Sequence, residues 1–474
     1  FKDMVCYQEE VRDPSRMAEV LNRVIEKAFR GSAPAQINVP RDYWTQVVDI
    51  ELPPIVRFER QGGGKDAIDK AAKLLSEAKF PVILSGAGVV IGDAIDDCKK
   101  LAEKLDAPVC NGYQHNDSFP GSHPLAVGPL GYNGSKAAME LISKADVVLA
   151  LGTRLNPFST LPGYGIDYWP KDATIIQVDM NPDRIGLTKK VTVGICGDAK
   201  MVSQQILEKL TSNAGDNGRE DRKNLIHQTK SAWLQTLTSL DHEDDDPGTV
   251  WNKEARERDS DRMSPRQAWR AIQAGMPEDV IISSDIGNNC AIGNAYPTFE
   301  KPRKYLAPGL FGPCGYGFPS ILGAKIGCPD TPVIGFAGDG AFGISMNEMS
   351  SCAREEWPAI TMVIFRNYQW GAEKRNSILW FDDNFVGTEL DPELSYAKVA
   401  NACGLKGITA KTMDETTKAI KQSCEDQKKG ITTFIEVILN QELGEPFRRD
   451  AMKKPVRVAG IDKGDMKPQK SLVS

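Results

Sequence analysis

A chain of 474 residues, 41% hydrophobic and 26% charged, is long enough to bury several cores and has an ordinary globular composition. A net charge of −6 and a pI of about 5.6 give nucleic-acid binding no general electrostatic basis, and no apolar run approaches the ~20 residues that span a bilayer. Ten cysteines without a CxxC pair, beside only four histidines, argue against a zinc site and fit a reducing cytoplasm.

In chain order, Met17, Val20, Leu21, Val24, Ile25 and Ala28 recur at helical spacing between Pro14 and Phe29, and residues 35–40 then read as a short strand closed by Pro40. Residues 1–60 read as the C-terminal remnant of a domain. The run Gln61-Gly62-Gly63-Gly64 marks a linker, after which an α/β rhythm fills 61–212: strands at Pro81–Leu84, Ala107–Cys110, Asp146–Leu151 and Thr174–Val178 alternate with helices at Asp66–Ala78, Ala94–Leu105 and Ala199–Leu210. Such alternation predicts a Rossmann-like, doubly wound parallel sheet. The loop Gly86-Ala87-Gly88-Val89-Val90-Ile91-Gly92 follows its first strand, and Asp179 ends a later one. A lone glycine loop is weak evidence for a dinucleotide, and a structural role is the expectation.

Residues 213–262, with Asp244-Asp245-Asp246-Pro247-Gly248 at their centre, read as a solvated, charged linker carrying some helix. A further α/β unit spans 263–446, opening on Ser264-Pro265 as cap and first helical residue, with strands at Val280–Ser283, Pro332–Ala337, Ala359–Arg366 and Thr432–Leu439. Residues 447–474, with eight Lys/Arg against three Asp, read as an extended arm.

The chemistry concentrates in this last unit. The strand at 333–337 runs into Gly338-Asp339-Gly340-Ala341, a helix is expected over 345–356, and the next strand ends at Asn367. A right-handed β-α-β crossover brings Asp339 and Asn367 to one sheet edge, where α/β folds bind ligands. A carboxylate, an amide oxygen and a nearby carbonyl are hard donors suited to Mg²⁺, and the flanking glycines let the backbone approach a diphosphate.

Gly338-Asp339-Gly340…Asn367 resembles the thiamine-diphosphate fingerprint of the acetolactate synthase, pyruvate oxidase and pyruvate decarboxylase family. The resemblance implies three doubly wound parallel-sheet domains, the first one truncated here. It assigns magnesium to Asp339, Asn367 and the main chain of Gln369. Tyr368 stands where the family often has a second Asn, a departure that leaves the metal set intact. Gly287, Asn288 and Asn289 look like the family's diphosphate loop. Gly312-Pro313-Cys314-Gly315-Tyr316-Gly317 looks like its aminopyrimidine segment, with Cys314 where relatives carry the residue that props the cofactor into its bent shape. Some members hold FAD in the central domain.

Residues 113–124, 285–296 and 369–374 resemble the sulfoacetaldehyde-acting branch of that family, the likeness running from Pro14 to at least Arg449. It implies conversion of sulfoacetaldehyde and phosphate to acetyl phosphate and sulfite, by a homodimer or homotetramer in the cytoplasm. Glu373, six residues after Asn367, is the expected acid/base, its pKa raised by burial near Trp370. His115, Lys374 and Arg375 are candidate anion contacts, and Arg448-Arg449 a weaker pair. Two other readings remain open: an acetolactate synthase or phosphate-linked pyruvate oxidase acting on pyruvate, and a cofactor-binding remnant without catalysis.

In the resembled family a glutamate early in the first domain activates the cofactor, and the site lies between the first domain of one subunit and the last of another. None of Glu9, Glu10 or Glu19 has the right context. The expectation is therefore that the chain starting at Phe1 is a fragment or processed product, inactive or barely active alone.

Overall fold

The computed structural model describes residues 1–54, 59–239, 257–309, 311–354, 356–380 and 384–443. The tail 447–474, with Arg448 and Arg449, and the acidic centre of the linker lie outside them. The architecture is α/β with parallel sheets throughout.

The first unit is a two-stranded parallel sheet, β1 (Tyr7–Glu10) beside β2 (Ala35–Asn38), covered by α1 (Met17–Gly31). Only Val20 and Val24 of α1 are buried, while Leu21 and Ile25 from the predicted apolar stripe are exposed, as is Phe29 after it. Glu9 and Glu19 both pair with Arg23, at 2.9 and 3.0 Å.

The central unit comprises α2 (Lys65–Glu77), β3 (Pro81–Ser85), α3 (Ala87–Ile91), α4 (Ile95–Leu105), β4 (Val109–Asn111), β5 (Ala126–Pro129), α5 (Lys136–Ile142), β6 (Val147–Leu151), β7 (Thr174–Asp179), β8 (Val193–Cys196) and α6 (Ala199–Lys209). Its strands are ordered β5-β4-β3-β6-β7-β8. Residues in β3 and β6 are buried without exception, as strands covered on both faces must be.

The charge-rich stretch after it holds α7 (Arg219–Ser239), and this helix is not wholly solvated: Ile226 and Trp233 are buried and Arg222 is 1% exposed. The Arg222 guanidinium donates to the carbonyls of Lys79, Leu105, Asp106, Gly215 and Asn217 at 2.6–2.9 Å. The segment expected to be a solvated linker is thus, over this helix, bolted to the central unit.

The last unit runs α8 (Pro265–Gly275), β9 (Ile281–Ser284), α9 (Asn288–Ile292), β10 (Tyr305–Leu306), α10 (Gly317–Gly327), β11 (Val333–Gly338), α11 (Asp339–Ser345), α12 (Met349–Cys352), β12 (Thr361–Arg366), α13 (Gly371–Trp380), α14 (Tyr396–Ala402), β13 (Lys406–Ala410), α15 (Met413–Gln427) and β14 (Thr433–Ile438), with strand order β10-β9-β11-β12-β14-β13. Successive side chains enter separate cores on opposite faces. Ile282, Phe336, Val363 and Ile435 pack on one side, and Ile281, Ala337, Met362 and Phe434 on the other.

The helix expected over 345–356 instead begins at Asp339, directly on the end of β11, and continues as short turns to Cys352. Phe342 draws it down, packing against Phe318, Tyr396 and Phe434. Packing outweighs the poor helix propensity of its glycines.

The two larger units meet along a polar seam. The loop after β4 docks on residues 294–305. Asn116 Nδ2 donates to the Asn294 and Pro297 carbonyls, both at 2.8 Å, and the Asp117 carboxylate accepts from Lys304 N at 2.9 Å and Tyr305 N at 3.2 Å.

Candidate active site

Each six-stranded sheet has one place where adjacent strands send their connections in opposite directions, which opens a crevice at their C-terminal ends. In the central sheet it lies between β3 and β6, and backbone fills it. Gly88 N donates to Gly152 O at 2.8 Å, and a Cβ on Gly88 would come within 2.6 Å of Gly152. The glycine loop at 86–92 is therefore glycine-rich because two turns pack face to face there.

In the last sheet the corresponding crevice lies between β9 and β11, and it is open. A Cβ on Gly287 or on Gly338 would meet nothing within 4 Å. Three patches converge here. The first is α9, supported from below by Trp269 of α8: the indole donates to Asn289 O at 2.8 Å, and only a glycine at 293 leaves room for its ring. A capping box between Ser264 and Gln267 and a proline in the first turn fix the start of α8. Asn288 and Asn289 are buried at 5% and 4% exposure, yet both amide atoms of Asn288 and Oδ1 of Asn289 lack a partner. Such atoms are costly unless something polar fills the space beside them.

The second patch is the glycine segment 312–317, moulded around Asp285. That carboxylate accepts from the backbone N–H of Ile286, Gly315 and Gly317 at 2.8, 3.1 and 2.7 Å. Gly315 turns the chain at φ +87°, a conformation closed to most side chains. Burial raises the Asp285 pKa, and the three backbone donors pull it back.

The third patch is Gly338-Asp339-Gly340-Ala341 facing Asn367 and Gln369, all in adjoining turns after β11 and β12, which pair Gly338 with Phe365. Asp339, Asn367 and Gln369 are 1%, 1% and 3% exposed. The Asp339 carboxylate accepts from Gly340 N at 3.0 Å, Tyr368 N at 2.7 Å and Arg366 Nη1 at 3.1 Å. Burial pushes its pKa up to about 6 against the opposing charge of Arg366. Gln369 Oε1 has no partner, while its Nε2 donates to Gln441 O at 3.0 Å. Tyr368 sits at φ +61°, a cost that the family's Asn would bear more easily. The Arg366 guanidinium over its ring at 4.2 Å compensates.

Oxygen donors at Asp339, Asn367 and Gln369, orphaned amides at Asn288 and Asn289, and an open glycine cradle suit a divalent cation with a diphosphate. The residues present fit the group.

The expected substrate residues fare differently. Glu373 stands exposed at the start of α13 instead of buried behind Trp370, close enough to Cys314 for its charge to raise the thiol's pKa. Lys374, expected as an anion contact, pairs with Glu389. Arg375 is buried and donates to the Tyr132 hydroxyl and the Leu443 carbonyl, so it ties the two larger units together. His115 lies on the seam loop beside Arg154, where burial first and that charge second lower its pKa to about 4. It is neutral at physiological pH. The site has a further member that spacing did not suggest. Arg366 ends a strand that is otherwise apolar apart from Thr361, and that interruption is its one signal in the sequence.

Residues 68–210 match the family model for the thiamine pyrophosphate enzyme central domain, and residues 285–437 the model for its C-terminal TPP binding domain. A probable sulfoacetaldehyde acetyltransferase of Rhizobium meliloti is 78% identical over all of this chain and 80% of its own length. The chain belongs to the sulfoacetaldehyde acetyltransferase family. A second member, from Roseovarius nubinhibens, is 74% identical over 99% of the chain and 78% of its own length. The large subunit of a probable acetolactate synthase from Methanococcus aeolicus stands further off, at 27% over 89% of the chain and 70% of its own. The fold is shared with benzoylformate decarboxylase from Polynucleobacter necessarius, at a TM-score of 0.72 and 20% identity over 94% of this chain and 77% of that one.

Proposed function

We propose that this protein converts sulfoacetaldehyde and phosphate to acetyl phosphate and sulfite, using thiamine diphosphate and Mg²⁺. The observation that carries the reading is the open crevice between β9 and β11, lined by unpartnered Asn288 and Asn289 and by Asp339, in a chain 78% identical to a probable sulfoacetaldehyde acetyltransferase. Bound there, the cofactor would supply the nucleophilic carbon and electron sink for breaking a carbon–sulfur bond.

The chain's own residues hold, orient and protonate. Asp339, Asn367 and the main chain of Gln369 hold the cation. Gly338, Gly340 and Ala341 with Gly287, Asn288 and Asn289 receive the diphosphate, and Gly312, Cys314 and Gly315 the aminopyrimidine. Glu373 is the proton carrier at the mouth, its exposure allowing exchange with solvent, and Lys374 beside it is the nearer anion contact. The reading includes a homodimer or homotetramer in the cytoplasm: large apolar side chains such as Phe29 and Phe311 stand 75% and 92% exposed, and ten free thiols accord with that compartment. No helix among the described residues is long and apolar enough to cross a membrane.

The test is sulfite release from sulfoacetaldehyde with thiamine diphosphate and Mg²⁺, with and without phosphate, and with pyruvate in parallel. Phosphate-dependent sulfite and acetyl phosphate are expected. Carbon dioxide from pyruvate with no sulfite would move the protein to another branch. Glu373→Gln at full cofactor occupancy should lower turnover, and unchanged turnover would remove Glu373 from the chemistry.

A further inference from the structure

Beneath the candidate cation site lies a buried triad of charges. Arg366, 1% exposed, sits between two carboxylates, one on the residue that follows β11 and one on β14: Nη1 donates to Asp339 Oδ2 at 3.1 Å, and Nε lies 3.8 Å from Glu436 Oε1. Its other nitrogen donates to the carbonyls of Asp391 and of Leu394, the latter at 2.9 Å. Glu436 is fixed in turn, accepting from the Ser395 hydroxyl at 2.7 Å, Tyr396 N at 3.1 Å and the Thr409 hydroxyl at 3.3 Å. Tyr396 closes the ring of contacts, its hydroxyl donating to the Asp339 carbonyl at 2.9 Å.

We infer that Arg366 is a built-in counter-ion of the metal site, a positioning residue that makes cation binding depend on the diphosphate. The inference rests on the reading above that Asp339 holds the cation. The guanidinium occupies one Asp339 oxygen and so fixes which way the other faces. It also offsets one of the two buried negative charges that would otherwise attract a divalent cation. The protein alone then holds its cation weakly, and the negative charge of a diphosphate has to arrive for the ion to be retained. A site built this way loads its two parts together and does not stay charged with metal alone.

The probes are Mn²⁺ and inorganic pyrophosphate, with bound Mn²⁺ read by electron paramagnetic resonance on the whole chain freed of metal and cofactor. The unaltered chain should bind Mn²⁺ weakly, and pyrophosphate should tighten it by about 100-fold or more. Arg366→Met should tighten Mn²⁺ alone by about tenfold and shrink the pyrophosphate effect in proportion. Glu436→Gln should act oppositely and weaken Mn²⁺ alone. An arginine serving structure only would leave the affinity alone or weaken it in both variants. A folded Arg366→Met chain that binds Mn²⁺ no better than the unaltered one overturns the inference. If that variant does not fold, Arg366→Gln, which keeps an N–H donor beside Asp339 without the charge, takes its place, and Mn²⁺ binding no tighter than in the unaltered chain overturns the inference. Asp339→Asn separates the premises: Mn²⁺ binding that survives this change sinks the cation-site reading itself.

Discussion

Gly340 lies under the indole of Trp370, and a Cβ there would come 2.8 Å from two ring atoms. Gly340→Ala should therefore push Trp370 and the adjoining Gln369 main chain outward, at an overpacking cost of about 1–3 kcal/mol. We expect thiamine diphosphate affinity, measured by calorimetry, to fall more than tenfold, with only a modest change in melting temperature. His115 makes a prediction of another kind. Its folded pKa of about 4 is below the ordinary 6.5, so between those values the unfolded chain binds more protons than the folded one. The neutral imidazole's contribution is present above pH 6.5 and is lost as pH falls toward 4. Denaturant titrations of His115→Phe across that window should show a shallower loss of stability than the unaltered chain. At this scale Gly338-Asp339-Gly340 and Asn367 stood out in the sequence through hard oxygen donors and small flanking residues at a spacing that resembles the family fingerprint. Arg366 and Asp285 were not singled out, since what marks them is a set of partners far away in the sequence.

At the scale of elements, the strands found in advance in the two larger units are the buried ones, where apolar runs such as Val147–Leu151 are unavoidable. Those missed in these units, Ala126–Pro129, Val193–Cys196, Tyr305–Leu306 and Lys406–Ala410, sit at sheet edges, and Tyr7–Glu10 in the first unit belongs to a sheet of only two strands. Half-covered edges tolerate glycine, lysine and threonine, so no run forms to be read. The helix after β11 was placed too late because its first residues are poor helix formers held by packing. Arg222 illustrates the converse, a charged residue that composition assigns to solvent and five carbonyls claim. Arg222→Ala leaves those carbonyls without their donor and should cost about 3 kcal/mol or more. Thermal denaturation should show a drop of several degrees, with cofactor affinity little altered.

Across the whole molecule, the seam loop that supported the family resemblance proves to be a joint between units. Asn116 gives both amide hydrogens to carbonyls across the boundary. Asn116→Ala should leave each unit folded but loosen their docking. Calorimetry should then resolve two transitions where the unaltered chain gives one, and hydrogen exchange should quicken at 297–305. A single unshifted transition would mean that the remaining contacts, Asp117 among them, suffice to hold the joint.

One thiol in the glycine segment offers a chemical footprint. Cys98, Cys110, Cys290, Cys352 and Cys424 are sealed in the cores, with burial raising the pKa of each, whereas Cys314 stands at the mouth of the crevice. Partial burial, with the charges of Asp285 and Glu373 adding to it, keeps Cys314 mostly protonated at neutral pH, so an alkylating reagent should find it slow at first and quicker in mild alkali. A ligand seated against the segment would shield that sulfur. The rate at which one cysteine takes up a label thus becomes a gauge of how much of the protein is loaded, readable by mass spectrometry without any turnover at all.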